Sequence, residues 1–163
     1  MSFVVTGLAP EPFAPLFGAD EATLAAAGAI RFQVDAKPGF PCRISLVDAE
    51  PGETVLLLNH EHHAADTPYR ARHAIYVREA AGAPARFENR LPPALADRLL
   101  AIRAYDEKGM MIDADIVEGR DVIPLIERLI ADPRTAYLHA HNARRGCFAA
   151  RIDRTPRGAD EAA

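Results

Sequence analysis

The sequence predicts an α+β fold in which a mainly antiparallel β-sheet is accompanied by two to three short helices. Three observations lead to this class. Segments in which apolar and polar residues alternate dominate the chain, turn-forming residues separate several of them at hairpin distance, and helical periodicity is confined to short stretches. We expect residues 1–155 to form one globular domain and residues 156–163 to form a frayed C-terminal tail.

The first half of the chain predicts a short helix followed by strands. Asp20 is a typical N-cap and Gly28 a typical helix stop, and they delimit the helix. The run Val55–Leu58 is apolar on both faces and predicts a covered central strand. Two strands flank the turn Asp48–Glu53 and are expected to form a hairpin. In chain order, we predict a helix over Glu21–Ala27, strands over Ile30–Val34, Cys42–Val47 and Thr54–Asn59, a polar loop over His60–Tyr69, and a strand over Arg72–Arg78.

The second half begins with a short helix opened by Pro92 and Pro93, because proline is tolerated in a first turn. Two strands then flank the turn Glu107–Gly109 as a hairpin. Apolar residues at helical spacing follow, capped by Asp121 and ended before Pro133. In chain order, we predict a helix over Pro92–Leu99, a hairpin of Leu100–Asp106 and Met110–Val117, a helix over Val122–Ile130, and strands over Ala136–His141 and Cys147–Asp153.

Composition narrows the classes of partner and reaction. A net charge of -4 argues against nucleic acid or an anionic membrane as the main partner. The chain has no G-x-S-x-G motif and no glycine-rich phosphate loop, which excludes serine hydrolases and the common nucleotide enzymes. The segment Met1–Gly7 lacks signal-peptide features, and Cys42 and Cys147 are expected to be reduced thiols, so we expect a cytoplasmic protein.

The candidate site begins with two histidines in one predicted strand. Residues two apart on a strand point to the same face about 7 Å apart, so the imidazoles of His139 and His141 project in parallel, together with Tyr137. Such a pair is suited to gripping a divalent transition metal (zinc, iron or manganese), or to acting as an acid/base pair. The alternative is a solvated strand face.

Asp113 and Asp115 are the candidate carboxylates. Alternation places them opposite the apolar face formed by Ile112 and Ile116. If the two strands are neighbours, Asp115 joins His139 and His141 as a metal ligand in a two-histidine, one-carboxylate site. The alternative is that both aspartates are ordinary surface residues.

The remaining histidines predict less. His73 shares its strand face with Ile75 and Val77, which favours a buried structural histidine. The segment His60–His63 is expected to be a solvated loop, although a loop that delivers a histidine to the site is an alternative.

Cys147 is the candidate nucleophile. The guanidinium groups of Arg144 and Arg145 are expected nearby and would favour the thiolate, and His139 or His141 could act as its base. The alternative is a structural thiol, which is also the interpretation favoured for Cys42.

Several segments together resemble an uncharacterised bacterial family, the domain of unknown function DUF1203. They are Pro38–Arg43, Asp48–Glu53, Pro68–Arg70, Arg103–Asp106 and His139–Cys147. The resemblance runs from about Phe3 to Arg154 and implies a small, single-domain, cytoplasmic bacterial protein. It implies no activity and no catalytic residue.

The leading hypothesis is a small-molecule-binding domain, with a metal-assisted enzyme using catalytic His139 and His141 as its more specific form. Asn142, Arg145 and Tyr137 would contact the ligand, and an arginine would meet a carboxylate or phosphate. Two alternatives stay open: a thiol-dependent enzyme using Cys147, and a non-catalytic interaction or structural protein. Neither nucleic acid nor membrane is expected as a partner, and the oligomeric state is left open.

Overall fold

The computed structural model describes residues 2–155, and the predicted tail over residues 156–163 lies outside them. The described chain is an α+β fold, as predicted from the alternation. Its strands are β1 Phe3–Thr6, β2 Ile30–Gln33, β3 Thr54–His63, β4 Ala71–Arg78, β5 Arg86–Glu88, β6 Leu99–Tyr105, β7 Met111–Glu118, β8 Tyr137–Asn142 and β9 Phe148–Arg154. Its α-helices are α1 Glu21–Ala26, α2 Pro93–Ala96 and α3 Val122–Ala131, and short 3-10 turns cover Ala14–Leu16 and Gly119–Asp121.

The strands form two antiparallel sheets rather than one. In the part of the chain that the structure describes, the large sheet has the order β5-β1-β9-β8-β6-β7 and the small sheet the order β2-β3-β4. Strands of the small sheet lie in sequence between β1 and β5, so both sheets belong to one folding unit. The central position of β3, predicted from its apolar run, is confirmed.

Helix α3 covers one face of the large sheet. Its apolar stripe packs on the side chains that β6 and β8 present to that face, and these residues form the main core. The core includes Leu100, Ile102, Leu138 and Ala140 from the strands and Val122, Ile126 and Leu129 from the helix. The opposite face of the large sheet meets the end of β3, which places the candidate site between the sheets.

The predicted helix limits are largely confirmed. Asp20 caps α1, accepting a hydrogen bond from the Thr23 amide at 2.8 Å, and Gly28 follows the helix with a φ of 66°. Helix α2 is shorter than predicted because Leu99 already belongs to β6. Within residues 2–155, no helix has the length and apolar character needed to cross a membrane.

The predicted strand over Cys42–Val47 is wrong. The segment is a buried turn in which the Cys42 amide donates to the Val47 carbonyl and the Leu46 amide to the Cys42 carbonyl, both at 3.0 Å. Leu46 has a φ of 54°, outside the extended region. Its apolar alternation reflects the burial of Cys42, Ile44 and Leu46 against the small sheet and the main core, so β3 pairs with β2 and β4 and not with this segment.

Two other expectations are corrected in the small sheet. Residues His60–His63 were expected in a loop but extend β3, because β4 continues the pairing through His60↔His73 and Glu61↔Arg72. In β2 the apolar face is not buried: Ile30 is 55% exposed. On the polar face Gln33 is exposed, and Arg31 is half-buried because it binds Glu79 through two nitrogens and donates to the Ala19 carbonyl.

Candidate functional site

The face of β8 that carries the histidines is covered by protein. As predicted, His139 and His141 point away from the α3 core, whereas Leu138 and Ala140 point into it. However, His139 is only 3% exposed and His141 is fully buried. The alternative of a solvated strand face is therefore wrong, because the end of β3 lies against this face.

A β-bulge at the end of β3 brings two adjacent histidines to the same place. The β3–β4 register shifts between Glu61 and His63, so the strict alternation of side chains is interrupted at His62. The His62 ring centroid lies 5.1 Å from that of His141 and 6.2 Å from that of His139, and the His63 centroid lies 5.6 Å from that of His139. We call His62, His63, His139 and His141 the histidine cluster.

Aromatic side chains of the large sheet enclose the histidine cluster. Phe148 stacks on His62 at a centroid distance of 5.3 Å, and Tyr105 stacks on His63 at 4.4 Å. The Tyr137 hydroxyl lies 3.0 Å from His63 Nε2, at hydrogen-bonding distance. The cluster is thus held in a largely apolar frame with Tyr137 as one polar contact.

Several ring nitrogens of the histidine cluster are buried without a hydrogen-bond partner among the described residues. They are both nitrogens of His62, Nδ1 of His63, Nδ1 of His139 and Nε2 of His141. Backbone groups of His60 and Tyr69 come close enough to the His62 and His63 rings to oppose the lowering of their pKa, but do not reach hydrogen-bond geometry with these atoms. His141 Nδ1 lies 3.1 Å from the Gly146 carbonyl, which can only accept, so Nδ1 carries the proton and Nε2 of the neutral ring keeps its lone pair. These nitrogens can therefore bond a water molecule or a ligand.

Burial keeps the cluster uncharged at neutral pH. Burial lowers the pKa of His139 to about 2, and the neighbouring His141, His63 and His62 add to the shift. Burial lowers the pKa of His141 to about 3, with a further contribution from the positive charge of Arg103. Burial also lowers the pKa of His62 to about 4 and that of His63 below its usual value. Neutral imidazoles are the form that ligates metals and accepts hydrogen bonds.

The residues near the cluster include an arginine that sequence reasoning missed. Arg103 on β6 pairs in register with His139 and so lies on the same sheet face. Its guanidinium also contributes to the lowered pKa of His62 and of His141. No carboxylate among residues 2–155 forms an ion pair with it. Strand parity in the β6 segment could have found Arg103, since Ile102 and Ala104 flank it on the core side.

The structure does not bring the candidate carboxylates to the histidines. β6 lies between β7 and β8, and Asp115 pairs in register with Ile102, on the face covered by α3. Asp113 and Asp115 both form ion pairs with Arg128 of α3, at 3.1 and 3.3 Å. The predicted convergence of Asp115 with His139 and His141 is therefore wrong, and the alternative of surface aspartates holds, since the Asp113 and Asp115 side chains are 45% and 58% exposed. Ile116, on the predicted apolar face of the same strand, is also exposed.

The described residues do not form a ready metal centre. Within residues 2–155, no group of three or more histidine, cysteine, aspartate or glutamate side chains is arranged so that it could hold a metal ion. The predicted set of His139, His141 and Asp115 is not assembled. A zinc, iron or manganese ion held by the histidine cluster would require the rings to turn until their lone pairs meet at one point.

Cys147 is buried beside an arginine, but not one of those predicted. Arg43, itself only 2% exposed, donates to Cys147 Sγ at 3.0 Å and to the Phe148 carbonyl at 2.7 Å. The Asn142 side-chain amide donates to the same sulfur at 3.3 Å. Arg144 and Arg145 are exposed, and among the described residues neither they nor a histidine hydrogen-bonds the sulfur, so the observed contacts to Cys147 come from Arg43 and Asn142.

The other two histidines flank the site without joining it. His73 is half-buried and its Nδ1 lies 3.1 Å from the Ala74 carbonyl, so the expectation of a core histidine is wrong. His60 packs edge-on against Phe13 at a centroid distance of 5.6 Å. Cys42 is fully buried and accepts hydrogen bonds from two backbone amides, as a structural thiol does.

Comparison with known proteins identifies the family. The family described as a protein of unknown function, DUF1203, matches residues 39–154. The chain belongs to this family. The DUF1203 region contains the whole histidine cluster, Arg43, Arg103 and Cys147. No curated protein and no solved structure matches the chain.

The site in the structure contains residues that differ in part from those predicted. The sequence pointed to His139, His141, Tyr137 and Asn142, offered a histidine from His60–His63 as an alternative only, and did not single out Arg103 or Arg43. His62 and His63 were assigned to a loop because polar residues at a bulge do not show the alternation of apolar and polar residues that indicates a strand.

Proposed function

We propose that this protein binds a polar small molecule at the histidine cluster. The observation that carries the proposal is the set of buried ring nitrogens that have no hydrogen-bond partner among the described residues. A buried polar atom without a partner costs about 1–3 kcal/mol, so a ligand that bonds several of them gains affinity from groups the fold has already desolvated.

In this proposal the imidazoles contact the ligand and the aromatic frame orients them. The Gly146 carbonyl fixes the tautomer of His141 and directs its Nε2 lone pair away from that contact. Tyr137 fixes His63 through the hydroxyl contact at 3.0 Å. The lowered pKa values of His139 and His141 make these rings weak bases, which favours a binding role over general-base catalysis.

The first test compares thermal stabilisation by candidate ligands in the wild type and in His141→Phe. Phenylalanine preserves the ring but removes both nitrogens. The ligands are zinc, manganese, iron(II), phosphate and acetate, each at a series of concentrations. We expect at least one of them to raise the Tm of the wild type in a saturable way and to leave His141→Phe unaffected.

Asp115→Asn is the matched control, because Asp115 lies on the opposite face of the large sheet. It should keep the response of the wild type. A ligand that stabilises all three proteins equally does not act through the cluster, and a complete lack of response across the series would contradict the proposal.

A second candidate function is favoured by Arg43. No carboxylate among the described residues pairs with this buried guanidinium. Burial lowers the pKa of Arg43, the Cys147 sulfur opposes that shift and Arg98 adds to it, yet arginine stays charged in proteins. The Cys147 thiolate would balance this charge and would be a nucleophile, so we propose thiol chemistry at Cys147 as the alternative function.

We also propose that the protein acts in the bacterial cytoplasm. Cys42 and Cys147 are both free and buried, which fits a reducing compartment. Fractionation of cells that express a tagged chain, with periplasmic and cytoplasmic marker enzymes, tests this directly.

A further inference from the structure

The charged groups that face the histidine cluster favour one class of ligand. Arg103 lies beside the cluster without a carboxylate partner among the described residues. Arg151 on β9 is the register partner of His139 and so also lies beside the cluster. Its guanidinium forms an ion pair with the Asp153 carboxylate at 2.8 Å and lies 4.1 Å from the centroid of the Tyr137 ring. The neighbouring carboxylate Glu61 is bound by Arg70 at 2.8 Å. The carboxylates around the site are thus already paired, and the positive charge of Arg103 is not.

The strands packed around the cluster contribute several titratable or charged groups. The titratable and charged groups that face or influence the cluster are His60, His62 and His63 from β3, His73 from β4, Arg103 and Tyr105 from β6, Tyr137, His139 and His141 from β8, and Arg151 and Asp153 from β9. A site made of neutral imidazoles and an uncompensated guanidinium attracts an anion and repels a cation.

We propose that the histidine cluster and Arg103 bind the carboxylate or phosphate group of a small molecule, and that an imidazole of the cluster takes up a proton as the anion binds. This inference rests on the proposed function and narrows its ligand to an anion. Arg103 supplies the permanent charge, and the imidazoles supply donors that appear only in the complex.

His141 shows why a proton is needed. Its Nδ1–H is already donated to the Gly146 carbonyl, so Nε2 of the neutral ring can only accept a hydrogen bond. An anion also only accepts, so Nε2 can bond it only after protonation. A bound anion lowers the free energy needed to protonate the buried imidazole. Because proton uptake and anion binding are then linked, a lower pH must strengthen binding, by up to about tenfold per pH unit for each proton taken up.

The test is titration with inorganic phosphate and with acetate, followed by the imidazole ¹⁵N resonances of the full chain. Chloride at matched ionic strength is the reference. We expect a saturable change, with His141 or another ring of the cluster moving from the neutral to the protonated shift range. Affinity should increase as the pH is lowered below neutrality. A response to phosphate only, or to acetate only, supports the inference and identifies the anion.

Arg103→Met tests the arginine, and Arg120→Met, an exposed arginine outside the site, is its control. Loss of a charge-assisted bond should weaken binding roughly ten- to a hundredfold in the first variant and leave the second unchanged. Arg103→Lys keeps the charge and should retain part of the affinity, which separates loss of charge from damage to the fold.

Three results overturn the inference: no saturable response to either anion, equal affinity in Arg103→Met, or affinity independent of pH. The proposed function is judged separately. If a metal ion stabilises the wild type but not His141→Phe while the anions have no effect, the binding site stands and its assignment to anions fails. If neither anions nor metals act through His141, both fail.

Discussion

Arg43 carries a buried charge that no carboxylate among residues 2–155 balances. Its guanidinium is almost completely buried, and the acceptors within reach are two backbone carbonyls and the Cys147 sulfur. By contrast, Arg98, which lies near it, pairs with Asp48 through two hydrogen bonds, at 2.9 and 2.6 Å. Burial opposes ionisation of Asp48, but the bonds from Arg98 and the Gly39 amide outweigh it and lower its pKa. The two arginines therefore differ in whether a carboxylate compensates them.

We predict that Arg43 controls the reactivity of Cys147, because it donates a charge-assisted hydrogen bond to the sulfur. In a Cys42→Ala background, the rate of alkylation by iodoacetamide at neutral pH measures the reactivity of Cys147 alone. Arg43→Met should reduce the rate at neutral pH by roughly tenfold or more, because it removes a charge-assisted bond.

Asn142→Ala is the milder variant, since it removes the neutral donor and leaves Arg43 in place. It should lower the rate less than Arg43→Met and keeps the prediction testable if the buried arginine is needed for folding. Equal alkylation rates in the Cys42→Ala parent and in both variants would contradict the control of Cys147 by Arg43.

At the residue scale, the sequence predicted part of the site for a sound reason. Residues two apart in a strand share a face, and this alone placed Tyr137, His139 and His141 together. It did not show whether that face is covered, because covering depends on β3, which is distant in sequence. Local alternation also assigned Asp115 to an outward face; its register with Ile102 and its pairing with Arg128 place it on the α3 side instead.

Strand β7 lies at an edge of the large sheet, where side chains and not a second neighbouring strand accept hydrogen bonds from its amides. It has one hydrogen-bonded neighbour, β6, in the described part of the large sheet. The amides of Ala114 and Ile116 donate to the carboxylates of Asp113 and Asp115, each at 2.8 Å. These aspartates therefore satisfy edge amides and bind Arg128, which gives them a structural role and discourages pairing with another chain.

The β6–β7 hairpin also supports the site through its turn. Gly109 has a φ of 81°, and a Cβ at this position would lie 2.4 Å from Ala65 Cβ and 3.3 Å from His63 Cε1. We predict that Gly109→Ala lowers the free energy of unfolding, because alanine disfavours this conformation and overpacks against Ala65 and His63. Urea denaturation measures the loss.

Gly52→Ala is the matched control, since Gly52 has a φ of 91° with nothing within 4 Å of an added Cβ. It should lose only the conformational contribution, so Gly109→Ala should be less stable than Gly52→Ala by roughly 1–3 kcal/mol. Equal losses of unfolding free energy in the two variants would mean that the close approach of the turn to Ala65 and His63 does not affect stability.

At the element scale, the sequence predicted best where a period is long and its ends are marked. Helix α3 and the β6–β7 hairpin lie close to their predicted limits, because a long apolar period and a following proline mark the helix and a glycine turn marks the hairpin. The predicted cap is corrected, since Asp121 precedes the helix but its side chain forms no capping hydrogen bond. Cys42–Val47 was wrongly predicted as a strand because a buried turn can place apolar residues at alternate positions just as a strand does.

The whole molecule brings together histidines that the sequence separates by about half the chain. The α+β class was predictable from local patterns. The division into two sheets and the order of their strands were not, because periodicity carries no information on which strands pair. Strands β3 and β8 belong to different sheets, so their contact depends on how the two sheets pack. Local patterns do not encode this packing, and so the histidine cluster could not be predicted as one site.

Burial of neutral imidazoles makes the stability of the whole protein depend on pH. The folded-state pKa values of His139 and His141, about 2 and about 3, lie below the usual value of 6.5. Below pH 6.5 the unfolded chain therefore binds protons that the folded chain does not. Stability from these groups is fully present above that pH and is lost as the pH falls towards the folded-state values, at up to about 1.4 kcal/mol per pH unit for each histidine.

The most direct measurement of the buried, neutral cluster is the free energy of unfolding as a function of pH, in the wild type and in the double variant His139→Phe/His141→Phe. Both proteins contain the same carboxylates, so the difference between their curves isolates the two histidines. We predict that the wild type loses stability more steeply than the double variant from pH 6.5 downwards. Parallel curves would show that these imidazoles protonate in the folded protein as they do in the unfolded chain, and would contradict the cluster on which the proposed function depends.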